Sequence, residues 1–220
     1  MNSNSSAFAR QHAWFRRSLV ALAVAGCVAT AAAAPSAIGL IGGKKDDFQT
    51  AAPYAILVDA DSGTVLFEKG ADVPAPPSSM AKLMTAEVVF NEIKQDRIKV
   101  DDEFLVSEDA WRRGGAPSHT SSMFAAIHSR VRVEDLIQGA VVQSGNDACI
   151  ALAEGIAGNE PAFVAMMNKR ARELGLTKSY FTNSTGLPDP AQKATVRELA
   201  RLARYTIRNY PTYYLSLIHI

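Results

Sequence analysis

The sequence predicts an α+β fold, a short antiparallel strand pair followed by a block of helices, and three observations carry that reading. Two strand-like runs flank the turn signal Asp61-Ser62-Gly63, later segments repeat apolar residues at helical spacing, and no strand–helix–strand alternation runs through the chain. With 220 residues, 48% hydrophobic and 20% charged, there is enough chain for one well-buried domain.

The N-terminus is expected to stand outside that domain. Residues 1–18 are polar and carry Arg10, Arg16 and Arg17, and residues 19–34 are small and apolar, closing on four alanines (Ala31-Ala32-Ala33-Ala34). This is the layout of a secretory signal peptide over 1–34, cleaved near Ala33 or Ala34, too short and wrongly flanked for a stable membrane span. Val24-Ala25-Gly26-Cys27 leaves lipidation of Cys27 open as an alternative, whereas Arg16-Arg17 fits a twin-arginine signal poorly. Residues 35–50, with their glycine, serine and charge, read as a linker.

The elements then follow in order. Residues 54–59 and 64–68 form a hairpin. After the proline-rich turn Pro74-Ala75-Pro76-Pro77 a helix opens near Ser79, with Leu83, Met84, Val88, Val89 and Ile93 inward. Residues 101–132 are irregular, with Gly114-Gly115-Ala116-Pro117-Ser118 as an exposed loop. A helix over 133–142 turns Leu136, Ile137, Ala140 and Val141 inward. Two more span 148–155 and 161–174, the second with Pro161 in its first turn and Gly175 ending it. The last spans 195–209, with Leu199, Leu202, Ala203 and Ile207 on one face, and Thr195 and Glu198 spaced as a capping box. No third strand is legible, although a lone hairpin is marginal in water.

Composition excludes some functions. A formal net charge of +1 gives no footprint for nucleic acid. The four histidines lack ligand spacing, so neither a metal nor another cofactor is expected. Once the signal is removed, one cysteine remains, Cys149. It forms no internal disulfide, and its apolar surroundings predict a small buried thiol.

The chemistry centres on Ser79-Met80-Ala81-Lys82. A serine hydroxyl needs a base within hydrogen-bond reach, and positions i and i+3 of a helix are neighbours. Alone the pattern is common, and a serine ahead of a helix also serves as an N-cap. Ser144-Gly145-Asn146 lies 144 − 79 = 65 residues further on, between two helices. Its structural reading is a glycine in an awkward backbone angle with a capping Asn or Asp. Its functional reading is a relay hydroxyl and a donor–acceptor amide facing a cleft.

Together these segments resemble the serine D-alanyl-D-alanine carboxypeptidases (peptidase S11-like), the low-molecular-mass penicillin-binding proteins. Pro77-Ser78-Ser79-Met80-Ala81-Lys82-Leu83-Met84-Thr85 is similar to their nucleophile segment, and Val142-Gln143-Ser144-Gly145-Asn146-Asp147-Ala148 to their second motif. Tyr54-Ala55-Ile56-Leu57-Val58-Asp59, Phe181-Thr182-Asn183-Ser184-Thr185-Gly186-Leu187 and Thr195-Val196-Arg197-Glu198-Leu199-Ala200 also resemble family stretches. The resemblance implies the β-lactamase/DD-peptidase-like transpeptidase fold, a helical block against an antiparallel sheet, with 51–214 a partial catalytic domain. It implies that Ser79 is the nucleophile, Lys82 its base and Ser144 a proton relay, while Gly145 and Asn146 hold substrate. The implied partners are a peptidoglycan stem peptide ending in D-Ala-D-Ala and β-lactams as inhibitors, in the periplasm or cell envelope.

Two departures shape the expectation. The family's third motif, Lys-Thr-Gly or Lys-Ser-Gly, belongs about 100 residues after the second, beyond Ile220. Residues 215–220 also leave the family pattern, as an off-family tail. The expectation is therefore a truncated reading frame whose chain alone neither folds stably nor hydrolyses substrate, and inner-membrane association through a C-terminal anchor lies beyond these residues. A D,D-endopeptidase, a class A β-lactamase-like hydrolase and an inactive cell-wall-binding fragment remain alternatives. Gly145 disfavours the β-lactamase, which usually carries Ser-Asp-Asn there.

Overall fold

The computed structural model describes residues 48–217, with side chains to Tyr214; the expected signal peptide, Cys27 and most of the linker lie outside the described residues. Strands β1 (Ala55–Val58) and β2 (Val65–Lys69) pair antiparallel, with Ala55 opposite Lys69 and a register shift at Leu57/Val58. Their turn is closed by Asp59, whose carbonyl accepts the Gly63 N–H at 2.8 Å and whose Oδ1 accepts the Ser62 N–H at 2.7 Å. Gly63 stands at φ +79°, which glycine adopts without a Cβ penalty.

The chain then makes a 3₁₀ turn, Ser78–Ala81, that runs directly into α1 (Lys82–Lys94). Ser79 therefore sits in the tight turn ahead of the α-helix. Residues 101–132, expected to be irregular, hold regular elements in part: β3 (Glu103–Leu105) pairs antiparallel with β4 (Arg130–Arg132), and between them lie α2 (Glu108–Gly114) and a 3₁₀ turn, Ala116–Ser118, while 119–129 has no helix or strand. Strands of three residues carry too few alternating positions to announce themselves. The expected exposed glycine loop is also corrected. Gly114 and Gly115 are buried, because Gly114 closes α2 directly against the Asn146-Asp147 backbone, where a Cβ would collide.

The remaining helices are α3 (Val133–Val142), α4 (Asn146–Ala157), α5 (Glu160–Glu173), α6 (Val196–Asn209) and α7 (Pro211–Leu217). Helix α4 is central and packs against α2, α3 and α5. Every residue from Asn146 to Ala153 is buried, and the small Ala148, Cys149, Ala151 and Ala153 let neighbouring helices approach closely. Phe90, Phe163, Phe181, Met84, Ile150 and Leu152 fill the core, each contributing roughly 1.5–3 kcal/mol by burial. Helix α6 supports the hairpin: Arg204 donates to the Ala60 and Asp61 carbonyls at 2.7 and 2.9 Å, and Arg197 pairs with Glu68 and Asp72. Among the described residues each sheet has two strands, and α6 gives the first the support a lone hairpin lacks.

The capping box is half formed. Thr195 Oγ1 accepts the Glu198 N–H at 3.2 Å, but the Glu198 carboxylate turns away to accept the Lys178 N–H and, at 2.6 Å, the Ser179 hydroxyl. A long-range pair of donors outcompetes the local one.

Candidate active site

The site is built where the 3₁₀ turn enters α1. Ser79 is exposed, whereas Lys82, one turn on, is buried. Lys82 Nζ reaches three oxygens: Asn146 Oδ1 at 2.8 Å, the Thr185 carbonyl at 2.7 Å and Ser79 Oγ at 3.4 Å. All three partners are uncharged. Burial therefore pulls the Lys82 ammonium below the usual lysine value, opposed weakly by the nearby Cys149 thiol. This is the direction a lysine base requires. The 3.4 Å separation from Ser79 is long for a hydrogen bond.

Ser144 shares a cavity of about 480 Å³ with Ser79 and Lys82. Its Oγ is buried without a hydrogen-bond partner, and its backbone stands at φ +54°, a left-handed conformation rare outside glycine. The sequence expectation assigned the awkward angle to Gly145, and the structure assigns it to Ser144. Gly145 has an ordinary φ of −61° and sits in a tight place: a Cβ would stand 3.0 Å from Asp147 Oδ1, the Gly139 carbonyl and the Met123 nitrogen. It precedes α4 as N-cap without a side-chain bond, so Asn146 is free of capping duty. Asn146 gives Oδ1 to Lys82, and its Nδ2 donates to Thr120 Oγ1 at 2.9 Å.

Several residues that the motif reading passed over hold this arrangement. The Phe181–Leu187 stretch, quoted above without a role, delivers the Thr185 carbonyl. Asn183 Oδ1 accepts the Thr185 and Gly186 N–H groups, and Gly186 at φ +85° lies so close to the Ser78 carbonyl that a Cβ there would collide. The neighbouring Ser184 donates its N–H and hydroxyl to Glu160 Oε1 at 2.9 and 2.6 Å, while its carbonyl accepts the Thr85 hydroxyl. Glu160 is paired in turn with Arg113. Asp147, fully buried, accepts from Ser122 Oγ and from the Met123 and Ala125 N–H groups, fixing the segment after Thr120. The readable signal was Asn-Ser-Thr-Gly, a left-handed glycine turn with self-bonding side chains.

Cys149 is buried as expected, its thiol pushed up to about 12 by burial, so it offers no thiolate. Among the described residues no cluster of three His, Cys, Asp or Glu is placed to hold a metal ion, and no helix is long and apolar enough to cross a membrane.

Comparison with known proteins shows the family and the fold. The sequence pattern of the D-alanyl-D-alanine carboxypeptidase family matches residues 42–217, so the chain belongs to that family. It is 43% identical over 160 residues to D-alanyl-D-alanine carboxypeptidase DacC of Escherichia coli, covering 72% of this chain and 40% of that protein. Penicillin-binding protein 5 of Haemophilus influenzae superposes with a TM-score of 0.73 at 39% identity, over 76% of this chain and 48% of that one. Penicillin-binding protein D2 of Listeria monocytogenes, solved in an ampicillin-bound form, gives 0.64 at 25% identity over 75% and 65%. The chain thus has the DD-peptidase fold expected from its motifs, and spans less than half the length of DacC.

Proposed function

We propose that this chain carries the nucleophile, base and relay of a serine D-alanyl-D-alanine carboxypeptidase. Ser79 Oγ attacks the carbonyl between the two terminal D-alanines of a peptidoglycan stem peptide. As the Oγ–C bond forms, the hydroxyl proton passes to neutral Lys82. Ser144 relays a proton to the leaving amine, the C–N bond breaks, and D-alanine departs. Water then hydrolyses the ester and restores Ser79, leaving the peptide one residue shorter. Asn146, beside Gly145, hydrogen-bonds the substrate amide, and the Ser79 N–H ahead of α1 helps hold the oxyanion.

One observation carries this reading: a buried lysine with only neutral partners, 3.4 Å from an exposed serine hydroxyl. Burial lowers its proton affinity and the serine stands at its open side. The same chemistry opens a β-lactam ring on Ser79, a reading supported by the ampicillin-bound form of the Listeria relative. An exported protein acting in the periplasm or cell envelope, with membrane association through a C-terminal anchor, fits this substrate.

The test is covalent labelling by a fluorescent penicillin of the protein as its genomic locus encodes it. Label is expected on Ser79 and is expected to vanish in Ser79→Ala; equal labelling of that variant rejects the acyl-enzyme. Release of D-alanine from a pentapeptide, rather than cleavage of a cross-linked dimer, separates carboxypeptidase from endopeptidase.

A further inference from the structure

A neutral lysine amine has two protons and one lone pair, so its role depends on which neighbours take the protons. The Thr185 carbonyl at 2.7 Å can only accept. The Asn146 carboxamide can present either end. With Oδ1 toward Lys82 it takes the second proton, and the lone pair is left facing Ser79 Oγ. Reversed, Nδ2 would donate into the lone pair and the serine proton would have nowhere to go. Something must therefore fix which way the amide points.

The structure holds a chain of hydroxyls that does so, and its polarity is set at the far end. The Gly115 carbonyl, on a buried residue, accepts the Ser118 hydroxyl at 2.7 Å. Ser118 has no second proton, so across the 2.8 Å contact between Ser118 Oγ and Thr120 Oγ1 the donor is Thr120. Thr120 has then spent its only proton and offers Asn146 lone pairs alone. At 2.9 Å it accepts from Nδ2, which turns Oδ1 to Lys82 at 2.8 Å. A water in place of Thr120 would not impose this, because water donates and accepts equally well.

We propose that Ser118 and Thr120 are positioning residues that lock the Asn146 carboxamide and so keep the lone pair of neutral Lys82 on Ser79. The inference rests on Lys82 serving as the base of Ser79. Neither hydroxyl enters the reaction; during acylation the proton still moves from Ser79 Oγ to Lys82 Nζ as the Oγ–C bond forms. Their effect is to remove the one amide orientation in which that transfer is blocked.

Thr120→Val keeps the side-chain shape and removes the acceptor; Thr120→Ser keeps the acceptor. Both are compared with the parent, as the genomic locus encodes it, by the rate of Ser79 acylation with a fluorescent penicillin and by the Lys82 titration in an NMR spectrum of ¹³C-lysine-labelled protein. Thr120→Val is expected to slow acylation about tenfold, equivalent to losing the lone pair in nine molecules of ten. Its Lys82 midpoint is expected to move down, because the freed Nδ2 now stabilises the neutral amine. Thr120→Ser restores both. Slower acylation with a lower midpoint separates this device from loosened packing, which admits water and moves the midpoint up.

Ser118→Ala, whose lost hydroxyl bonds neither Lys82 nor Asn146, is expected to give a smaller change in the same two directions; it carries the test if Thr120→Val does not fold. Parent-like acylation and titration in Thr120→Val, an upward midpoint, or a Thr120→Ser variant as slow as the valine would each overturn the proposal. If the parent itself is not acylated, the proposed function fails, while the Lys82 titration still decides whether Thr120 holds the amide.

Discussion

Helix α1 buries Lys82 and Glu87 less than two turns apart and surrounds them differently; a third buried ionisable group, Glu92, pairs with Arg97. Lys82 has the Asn146 carboxamide oxygen, the Thr185 carbonyl and the Ser79 hydroxyl, none of them charged. Glu87 has the Arg170 guanidinium at 2.9 Å and the Tyr210 hydroxyl at 3.2 Å, and its second oxygen has no partner. Burial displaces both toward neutrality, Lys82 down and Glu87 up, the latter against the pull of Arg170. The difference lies in what each can do with its proton. Glu87 ties α1 to α5 and to Tyr210. Lys82 lines the cavity it shares with Ser79 and Ser144. An opposite charge suits Glu87 to anchoring, and neutral dipoles beside an opening suit Lys82 to the base role proposed above.

The largest effect expected is at Lys82. Lys82→Ala should slow acylation of Ser79 about 10³-fold, within the range for a lost general base. Its thermal unfolding should change little, because removing a buried amine also removes its desolvation cost. Glu87→Ala should do the reverse. Losing the hydrogen bond from Arg170, which keeps its pair with Glu173, costs about 1.5–3 kcal/mol of stability, read by chemical denaturation. Acylation per folded molecule should stay near the parent rate. If Glu87→Ala slows acylation as much as Lys82→Ala, the two groups are one network and the contrast fails.

In the sequence Lys82 stood out through its spacing from Ser79, whereas nothing singled out Glu87 among the other polar residues of the helix. What was legible was local. The hairpin, the helix faces, Pro161 in the first turn of α5, Gly175 after it and the Ser79-Lys82 spacing all follow from neighbours within four residues. The contacts that give Lys82 its chemistry come from 64 and 103 residues away, as backbone carbonyl and side-chain amide geometry that no periodicity encodes. The β3–β4 pair was missed for the same reason, three-residue strands being specified by their partner. At Ser144-Gly145 the sequence pointed to the right turn and the wrong residue, since the left-handed backbone falls on Ser144 while Gly145 stands in close contact with Gly139 and Met123.

The pH dependence sharpens the contrast by sign. Acylation should rise tenfold per pH unit below the Lys82 midpoint and level off above it, at a pH below that of an ordinary lysine, and Glu87→Gln should leave this midpoint in place. In stability the two groups act in opposite directions. Between its lowered native value and its ordinary value of 10.5, Lys82 binds fewer protons folded than unfolded, so stability rises with pH there. Glu87, raised from 4.5, binds more protons folded, so its contribution is present at acid pH and is lost as pH climbs through its native value. Denaturation midpoints of Lys82→Met and Glu87→Gln across pH would read both slopes, and a shared sign would break the comparison.

The smallest expected effect tests whether neutral partners alone are enough. Glu198 is buried with neutral donors only, the Lys178 N–H and the Ser179 hydroxyl, yet it lies outside the cavity that Lys82 lines. Its donors satisfy the carboxylate and none is a nucleophile, so its work is to tie the segment leading to Thr185 onto α6. Glu198→Gln should cost about 1 kcal/mol, the scale of one lost hydrogen bond, without moving the Lys82-dependent midpoint of acylation. A shift of that midpoint would mean that the Thr185 carbonyl is set by α6 as well as by Asn183 and Glu160. In that case the environment behind the base role proposed for Lys82 extends to the helix that also supports the hairpin.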